Sequence, residues 1–448
     1  MNNEEKLEVL QKEVPTLCIL PFIHFATSPE GRTKPCCIYD GELKKVAEKG
    51  GAEKAYNVGT DSIEEIWNSE AFREIRRQML RGEEPKACRA CYREERFDKN
   101  YLSYRITSFD HWKKEEGENL LARIEEARVS DGRVSEPPIY FDLRYGNLCN
   151  LTCRSCNPHS SNKLISDYRA LNEQDEWFRS KSFWDTNFDQ EVYSWPANEK
   201  FWQELDSCLG KVRKFYFTGG EPTLIAKNYK LMEICIERGY SQQIELMFNT
   251  NLVQLPQRFL DCIKQFKRVV LNLSVDGFGR VQEYLRSGSE WPVIERNLRH
   301  LAELKLPHIE LVLSTVIQAG NLLHLDEIFG FIDQLNKESV HRPFVINPIV
   351  LTHPEFLDMQ ILPDNIREIA HERLIRFAES SSFKTDERRF VYEKFYQIAA
   401  KIKQPRSDQA EKLLGEFVHY NRLLDRRRGT DMGQCLPELC ELLGINGP

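Results

Sequence analysis

The stretch Cys149-Asn-Leu-Thr-Cys153-Arg-Ser-Cys156 places three thiols within eight residues, directly after the apolar, strand-like run Ile139 to Tyr145. The spacing CxxxCxxC is a metal-binding constellation. Thiolates this close in sequence converge on one centre only if the backbone loops around it, and Gly146, Asn147 and Asn150 favour such looping. Three protein ligands leave one coordination position free, and an open position separates a reactive metal site from a closed structural one. A zinc site with His159 as fourth ligand, or cysteines that merely share a loop, remain open readings of this stretch alone.

Downstream, apolar runs of strand length alternate with helical segments. The candidates are Lys214 to Thr218, Ile244 to Asn249, Val269 to Ser274, Ile309 to Val316 and Phe344 to Val350. Repeated strand-then-helix order argues for parallel strands with crossover helices. With Ile139 to Tyr145 there are six, so the expected architecture is α/β, a partial (β/α)6 barrel whose ligand contacts lie at the C-terminal strand ends. The chemistry-bearing motifs fall there. The second strand ends in Gly219-Gly220-Glu221-Pro222, and paired glycines permit close backbone approach to a ligand. The third ends in Asn249-Thr-Asn251 and the fourth in Ser274-Val-Asp276, whose small polar groups suit ribose hydroxyls. Arg286 follows, and a guanidinium fork suits a carboxylate. Taken singly, each of these residues reads as a turn, a cap or a surface charge.

Together the cysteine loop, the GGEP turn, the strand-end residues and Arg286 resemble the radical S-adenosylmethionine (radical SAM) enzymes. The resemblance implies that Cys149, Cys153 and Cys156 bind three irons of a [4Fe-4S] cluster. The fourth iron would be chelated by the methionine part of S-adenosylmethionine. It further implies that Gly219, Gly220, Glu221 and Pro222 meet the cofactor's amine, that Asn249, Ser274 and Asp276 face its ribose, and that Arg286 pairs with its carboxylate. One departure is Ser155, where many relatives carry an aromatic residue against the adenine; adenine packing is then expected from an apolar side chain around Val316 or Ile317.

A second cysteine group lies near the N-terminus: Cys18, the adjacent pair Cys36 and Cys37, then Cys88 and Cys91. The segment TSPEGRTKPCC reads as a hairpin turn between short strands, and Ser62 with Glu65 forms a capping-box pattern ahead of Ile63, Ile66 and Trp67. This segment resembles the twitch domain, the shorter relative of the SPASM domain, which implies that Cys18, Cys36, Cys88 and Cys91 hold an auxiliary [4Fe-4S] cluster. Spacing does not choose between Cys36 and Cys37, nor does it exclude a four-cysteine zinc ribbon. The domain usually follows the barrel, and here it precedes it.

Length and composition agree with this organisation. At 448 residues more than one domain is expected. The division reads as a small α+β auxiliary domain over 1–99, a charged linker helix over 100–138, the barrel over 139–355 and a helical C-terminal extension over 356–448. Between Cys156 and the GGEP turn lie about sixty residues, more than one helix and one strand need. The excess, 171–205, is rich in aromatics, among them Trp177, Phe183, Trp184, Phe188, Trp195 and Trp202. It reads as a substrate-binding lid or as an elaboration with its own small core. The net charge of −7 argues against a generally basic nucleic-acid surface. No apolar run is long enough to span a bilayer, and the N-terminal residues lack a secretory pattern, so the expected location is the cytoplasm. Thirteen cysteines there read as ligands plus buried apolar residues, Cys208, Cys235 and Cys262 among the latter. Cys435 and Cys440 likewise read as small apolar residues, and Arg426-Arg427-Arg428 as a solvated helix end.

The implied function is reductive cleavage of S-adenosylmethionine to a 5′-deoxyadenosyl radical that abstracts a substrate hydrogen. The electron would come from a donor such as flavodoxin or ferredoxin, and the auxiliary cluster favours an oxidation or cross-linking outcome. The expected substrate is a peptide, because relatives with twitch or SPASM domains often modify ribosomally made peptides. A sugar, a cyclitol or a nucleotide is the alternative, and a non-catalytic zinc-binding adaptor is the reading from another class.

Overall fold

The computed structural model describes residues 2–45, 53–97, 103–181, 190–339, 343–384 and 389–445. The strands are β1 (His24–Thr27), β2 (Thr33–Lys34), β3 (Tyr140–Leu143), β4 (Thr152–Cys153), β5 (Lys214–Phe217), β6 (Glu245–Thr250), β7 (Arg268–Ser274), β8 (Arg286–Ser287), β9 (Ile309–Ile317) and β10 (Phe344–Val350). One sheet runs in the order β10-β9-β7-β6-β5-β3-β1-β2, while β4 and β8 form a separate two-stranded ribbon. Every pairing from β10 to β1 is parallel. The six expected barrel strands are present as β3, β5, β6, β7, β9 and β10, each within a few residues of its sequence reading.

The barrel strands alternate between two environments. Phe215, Phe217, Leu246, Phe248, Leu271, Leu273, Leu311 and Leu313 are buried against the covering helices. The opposite face, at period two, mixes polar residues with Met247, Val270 and Val312. At the floor of the lumen Lys214 and Arg268 both pair with Glu245, at 2.6 and 3.1 Å, and Arg268 also reaches Glu310 at 2.6 Å. Higher up, Asn249 donates to the Tyr216 hydroxyl at 2.6 Å and accepts from Asn272 at 2.9 Å. Asp142 is fully buried beside Arg144, 3.2 Å away. The linker helix Tyr104–Val129 closes this floor. Its Glu115 and Glu116 meet Lys267 and Arg213, each at 2.7 Å, beside the starts of β7 and β5.

The N-terminal segment is stitched to the barrel by strand pairing, which the sequence reading did not anticipate. β1 lies parallel to β3 with His24 opposite Tyr140, and the two rings stack at 3.8 Å. The predicted hairpin is the antiparallel β1–β2 pair. The capping box at Ser62 forms in both directions and starts the helix Ile63–Trp67. The following helix, Glu70–Leu80, contributes Arg76, fully buried, which donates to the carbonyls of Pro21, Gly132 and Trp67.

Several described aromatics of the insertion pack inward. Trp195 is buried against Tyr145 and Phe201, and its indole N–H donates to Pro29 O of the β1–β2 hairpin. Trp177 packs on Phe356 and Tyr420 of the C-terminal region. Phe183, Trp184 and Phe188 lie outside the described residues. The extension contributes helices Asp364–Ser380, Arg389–Ile402 and Ala410–Arg428. Cys208, Cys235 and Cys262 are buried on helices, as read from the sequence. Among the described residues, no helix is long and apolar enough to cross a membrane.

Candidate iron-sulfur sites

The cysteine loop is shaped by its own polar side chains. Asn147 donates to Pro158 O at 2.8 Å, Cys149 N–H donates to the Asn162 side chain at 3.1 Å, and Ser161 donates to Leu151 O at 2.7 Å. These bonds turn the backbone of a loop whose thiols interact electrostatically with one another. Burial pushes the thiols of Cys153 and Cys156 up to about 11 and about 12, and raises that of Cys149. Desolvated thiols stay protonated unless a positive centre offsets the loss of water, which is the setting of a metal-bound thiolate.

Two motifs far away in sequence meet this loop. The β4–β8 ribbon sets Cys153 opposite Arg286, with the guanidinium Nη1 4.0 Å from Cys153 Sγ. Arg286 Nε bonds Asp276 at 2.8 Å, and Asp276 also accepts from Val316 N–H. Asp276 therefore orients Arg286. The glycine pair explains itself by contact: Gly220, at φ +61°, would bring a Cβ to 2.2 Å from Leu148 O, inside the cysteine loop. Glu221 N–H donates to that same carbonyl at 2.8 Å. The Glu221 carboxylate points into the core, where it accepts from Thr223, Thr250 and Asn251.

At the third strand end the structure separates two residues. Asn249 lies in the lumen row with Tyr216 and Asn272, whereas Asn251 reaches the loop, bonding Asn150 at 2.7 Å with its amide nitrogen 4.0 Å from Cys149 Sγ. The sequence reading singled out Asn249 and passed over Asn251, although both stand in the same strand-end motif. It also read the Arg426 to Arg428 run as a solvated end. Arg426 and Arg427 are exposed as read, but Arg427 and Arg428 both pair with Asp167, and the Arg428 side chain is only a tenth exposed. A helix tail packed on another element loses its solvent, so charge there is paired.

In the N-terminal segment Cys18, Cys36, Cys88 and Cys91 line one cavity together with Tyr39, Tyr92 and Arg105. Burial raises all four thiols, that of Cys88 to about 12. The structure places Cys36 and Cys37 differently. Cys36 lines the cavity, while Cys37, in the turn that follows, does not and feels Asp142 and Arg144 of the barrel electrostatically. The linker, to which the sequence assigned no chemistry, holds this site together. Arg105 donates to Pro15 O and Leu17 O, each at 2.8 Å, and pairs with Glu95, fixing the Cys18 segment to the helix that carries Cys91.

The donor sets suit clusters. Among the described residues no three metal-ligating side chains close as tightly as one ion requires, zinc–sulfur bonds being about 2.3 Å. The four N-terminal cysteines instead border a shared cavity.

Residues 18–92 match the family described as the SPASM iron-sulfur cluster-binding domain, and residues 143–332 match the radical SAM superfamily. No curated protein matches the chain. Among solved structures it is similar to native anSMEcpe with bound AdoMet and Cp18Cys peptide, at 15% identity over 54% of this chain and 60% of that one, with a TM-score of 0.34. It is also similar to Streptococcus suis SuiB bound to S-adenosylmethionine, at 10% identity over 75% and 67% of the two chains, with a TM-score of 0.34. The chain thus covers 60% and 59% of the two anSMEcpe structures. Residues 143–332 thus form a radical SAM domain, and a SPASM-type iron-sulfur domain stands ahead of it in the chain.

Proposed function

We propose that Cys149, Cys153 and Cys156 hold the [4Fe-4S] cluster at which S-adenosylmethionine binds, and that Cys18, Cys36, Cys88 and Cys91 hold an auxiliary [4Fe-4S] cluster. The domain division of 1–99, 100–138, 139–355 and 356–448 is carried into this reading. The enzyme modifies or oxidises a peptide, with its electron supplied by a donor such as flavodoxin or ferredoxin. The observation that carries the reading is convergence: the loop, the Gly219-Gly220 turn and Arg286 meet at one end of the barrel although they are spread over more than a hundred residues.

When bound, the cluster and cofactor supply a 5′-deoxyadenosyl radical able to take a hydrogen from the substrate. The chain's own residues bind and orient. The backbone at Gly219 and Gly220 admits the cofactor's amine, and Pro222 begins the turn that keeps that backbone in place. Arg286, with one edge bonded to Asp276, keeps its other edge for a carboxylate. Ser274 is retained as the ribose contact. Asn249, engaged with Tyr216 and Asn272, belongs to the lumen and so to the substrate side. Asp276 and Glu221 act through the residues they hold.

The peptide assignment follows the resemblance to enzymes with twitch or SPASM domains. One observation favours the second reading, a sugar, cyclitol or nucleotide: the lumen face carries the hydrogen-bonding groups Asp142, Arg144, Tyr216, Asn249 and Asn272. A zinc-binding adaptor leaves the approach of Gly220 and Arg286 to the loop without a purpose.

Anaerobic purification followed by iron and sulfide analysis, then reductive incubation with S-adenosylmethionine, tests the assignment. About eight irons per chain, as two cubanes require, and release of 5′-deoxyadenosine support it. Stoichiometric zinc without 5′-deoxyadenosine overturns it in favour of the adaptor. A mass change on a short peptide encoded beside the gene separates the peptide from the small-molecule reading.

A further inference from the structure

The cysteine loop and the C-terminal helix Ala410–Arg428 each send an arginine into the other. Arg154, between two of the cysteines, is 1% exposed. It lies over the Tyr284 ring at 3.6 Å, donates to Tyr284 O at 3.0 Å and to Asn421 Oδ1 at 3.0 Å, and pairs with Asp425. Asp425 also accepts from the Tyr284 hydroxyl at 3.2 Å and from Met432 N–H at 3.0 Å. In return Arg428, the last residue of the helix, donates from Nη1 to Thr152 O at 2.9 Å and to Ser287 Oγ at 3.3 Å, and from Nε to Asp167 at 2.9 Å.

Thr152 and Ser287 are paired residues of the β4–β8 ribbon, next to the pair Cys153 and Arg286. One guanidinium thus spans the two strands that set the cysteine against the arginine. Arg428 Nη2 is buried without a hydrogen-bond partner, so the fork keeps positive charge directed into the protein beside the loop.

We propose that Arg428 is a positioning residue of the loop site: bridging Thr152 and Ser287, it keeps Cys153 in register with Arg286 and adds a fixed positive charge beside the cluster. The C-terminal helix is then a part of the radical-generating centre and not only a covering of the barrel. The proposal rests on Cys149, Cys153 and Cys156 being cluster ligands. A nearby cation stabilises the more negative, reduced cluster, so removing it lowers the reduction potential.

The test uses the full chain, anaerobically reconstituted, as wild type, Arg428→Gln and Arg428→Lys. Three quantities are read: the rate at which a chelator removes iron, the potential of each cluster by EPR-monitored titration, and the melting temperature of the metal-free protein. Arg428→Gln is expected to lose the loop's iron about 10- to 100-fold faster, the usual range for a residue that supports metal ligands. Its loop potential should fall while the auxiliary cluster keeps both properties. Arg428→Lys should recover the potential, because the charge is kept, but not the retention, because an ammonium lacks the planar fork that bridges two acceptors. Unchanged retention and potential in Arg428→Gln overturn the proposal. So does equal loss of iron from both clusters with a lowered melting temperature, which marks a general effect on folding. A wild type without iron at the loop sinks the cluster assignment itself, an outcome distinct from a loop that holds iron indifferently to Arg428.

Discussion

The two cysteine sites are built by opposite means. In the barrel, the three thiols come from one loop, and what fixes them is polar: side-chain bonds within the loop, the Gly220 contact, and Arg286 across a two-residue ribbon. In the N-terminal segment the four thiols come from positions scattered over Cys18 to Cys91, and what gathers them is a hydrophobic core with a few buried arginines. A local ligand set leaves the loop free to keep one side open, as a reactive site needs. A dispersed set surrounds its space and suits a site that stores or relays an electron.

The comparison breaks most visibly if the sites are interchangeable. Cys153→Ala should remove about four of eight irons and abolish 5′-deoxyadenosine formation, whereas Cys91→Ala should remove the other four and leave that formation intact. Iron analysis with product assay checks both, and a Cys91→Ala protein inactive towards S-adenosylmethionine would show that the division of labour is wrong.

A sharper version concerns neighbours. Cys36→Ala is expected to lose the auxiliary iron, and Cys37→Ala to keep it, because only the first thiol lines the cavity. Mössbauer or EPR spectra of the two variants decide. The reverse result would mean that the turn places Cys37 at the metal.

Dependence on the core predicts a third effect. Arg76→Met leaves the carbonyls of Pro21, Gly132 and Trp67 unpaired in the interior. At about 1 kcal/mol or more each, the loss should be about 3 kcal/mol, read by denaturant unfolding, with auxiliary iron lost more readily than loop iron. The smallest effect belongs to Arg427, which pairs with Asp167 through a side chain that is 31% exposed. Arg427→Ala should cost less than about 1 kcal/mol and leave the loop's iron in place. A larger loss would mean that the Arg428 contacts do not distinguish the two neighbours.

The barrel was legible because its strands are short runs rich in apolar residues that alternate with helical stretches, and because the motifs stand at the ends of β5, β6 and β7. The loop was legible because its three cysteines lie within eight residues. What was not legible depends on pairing at a distance. An arginine at a helix tail looks solvated until Asp167, 261 residues earlier in the chain, is found beside it. Asn249 and Asn251 look equivalent until the loop supplies a partner for one of them. The adjacent Cys36 and Cys37 look equivalent, and which of them borders the cavity is decided by Cys18, Cys88 and Cys91 from elsewhere. Arg105 gave no sign of its role because the carbonyls it serves carry no side-chain signature.

The parallel pairing of β1 with β3 has a consequence for how this chain can be divided. A barrel expressed from Pro138 onward would present β3 as a bare outer strand, with the backbone groups that His24, Phe25 and Ala26 normally engage turned to solvent. Such an edge is a template for joining another copy, so the shortened protein should self-associate, and grafting this auxiliary module onto a different barrel would require a matching vacant edge as well as a suitable tether.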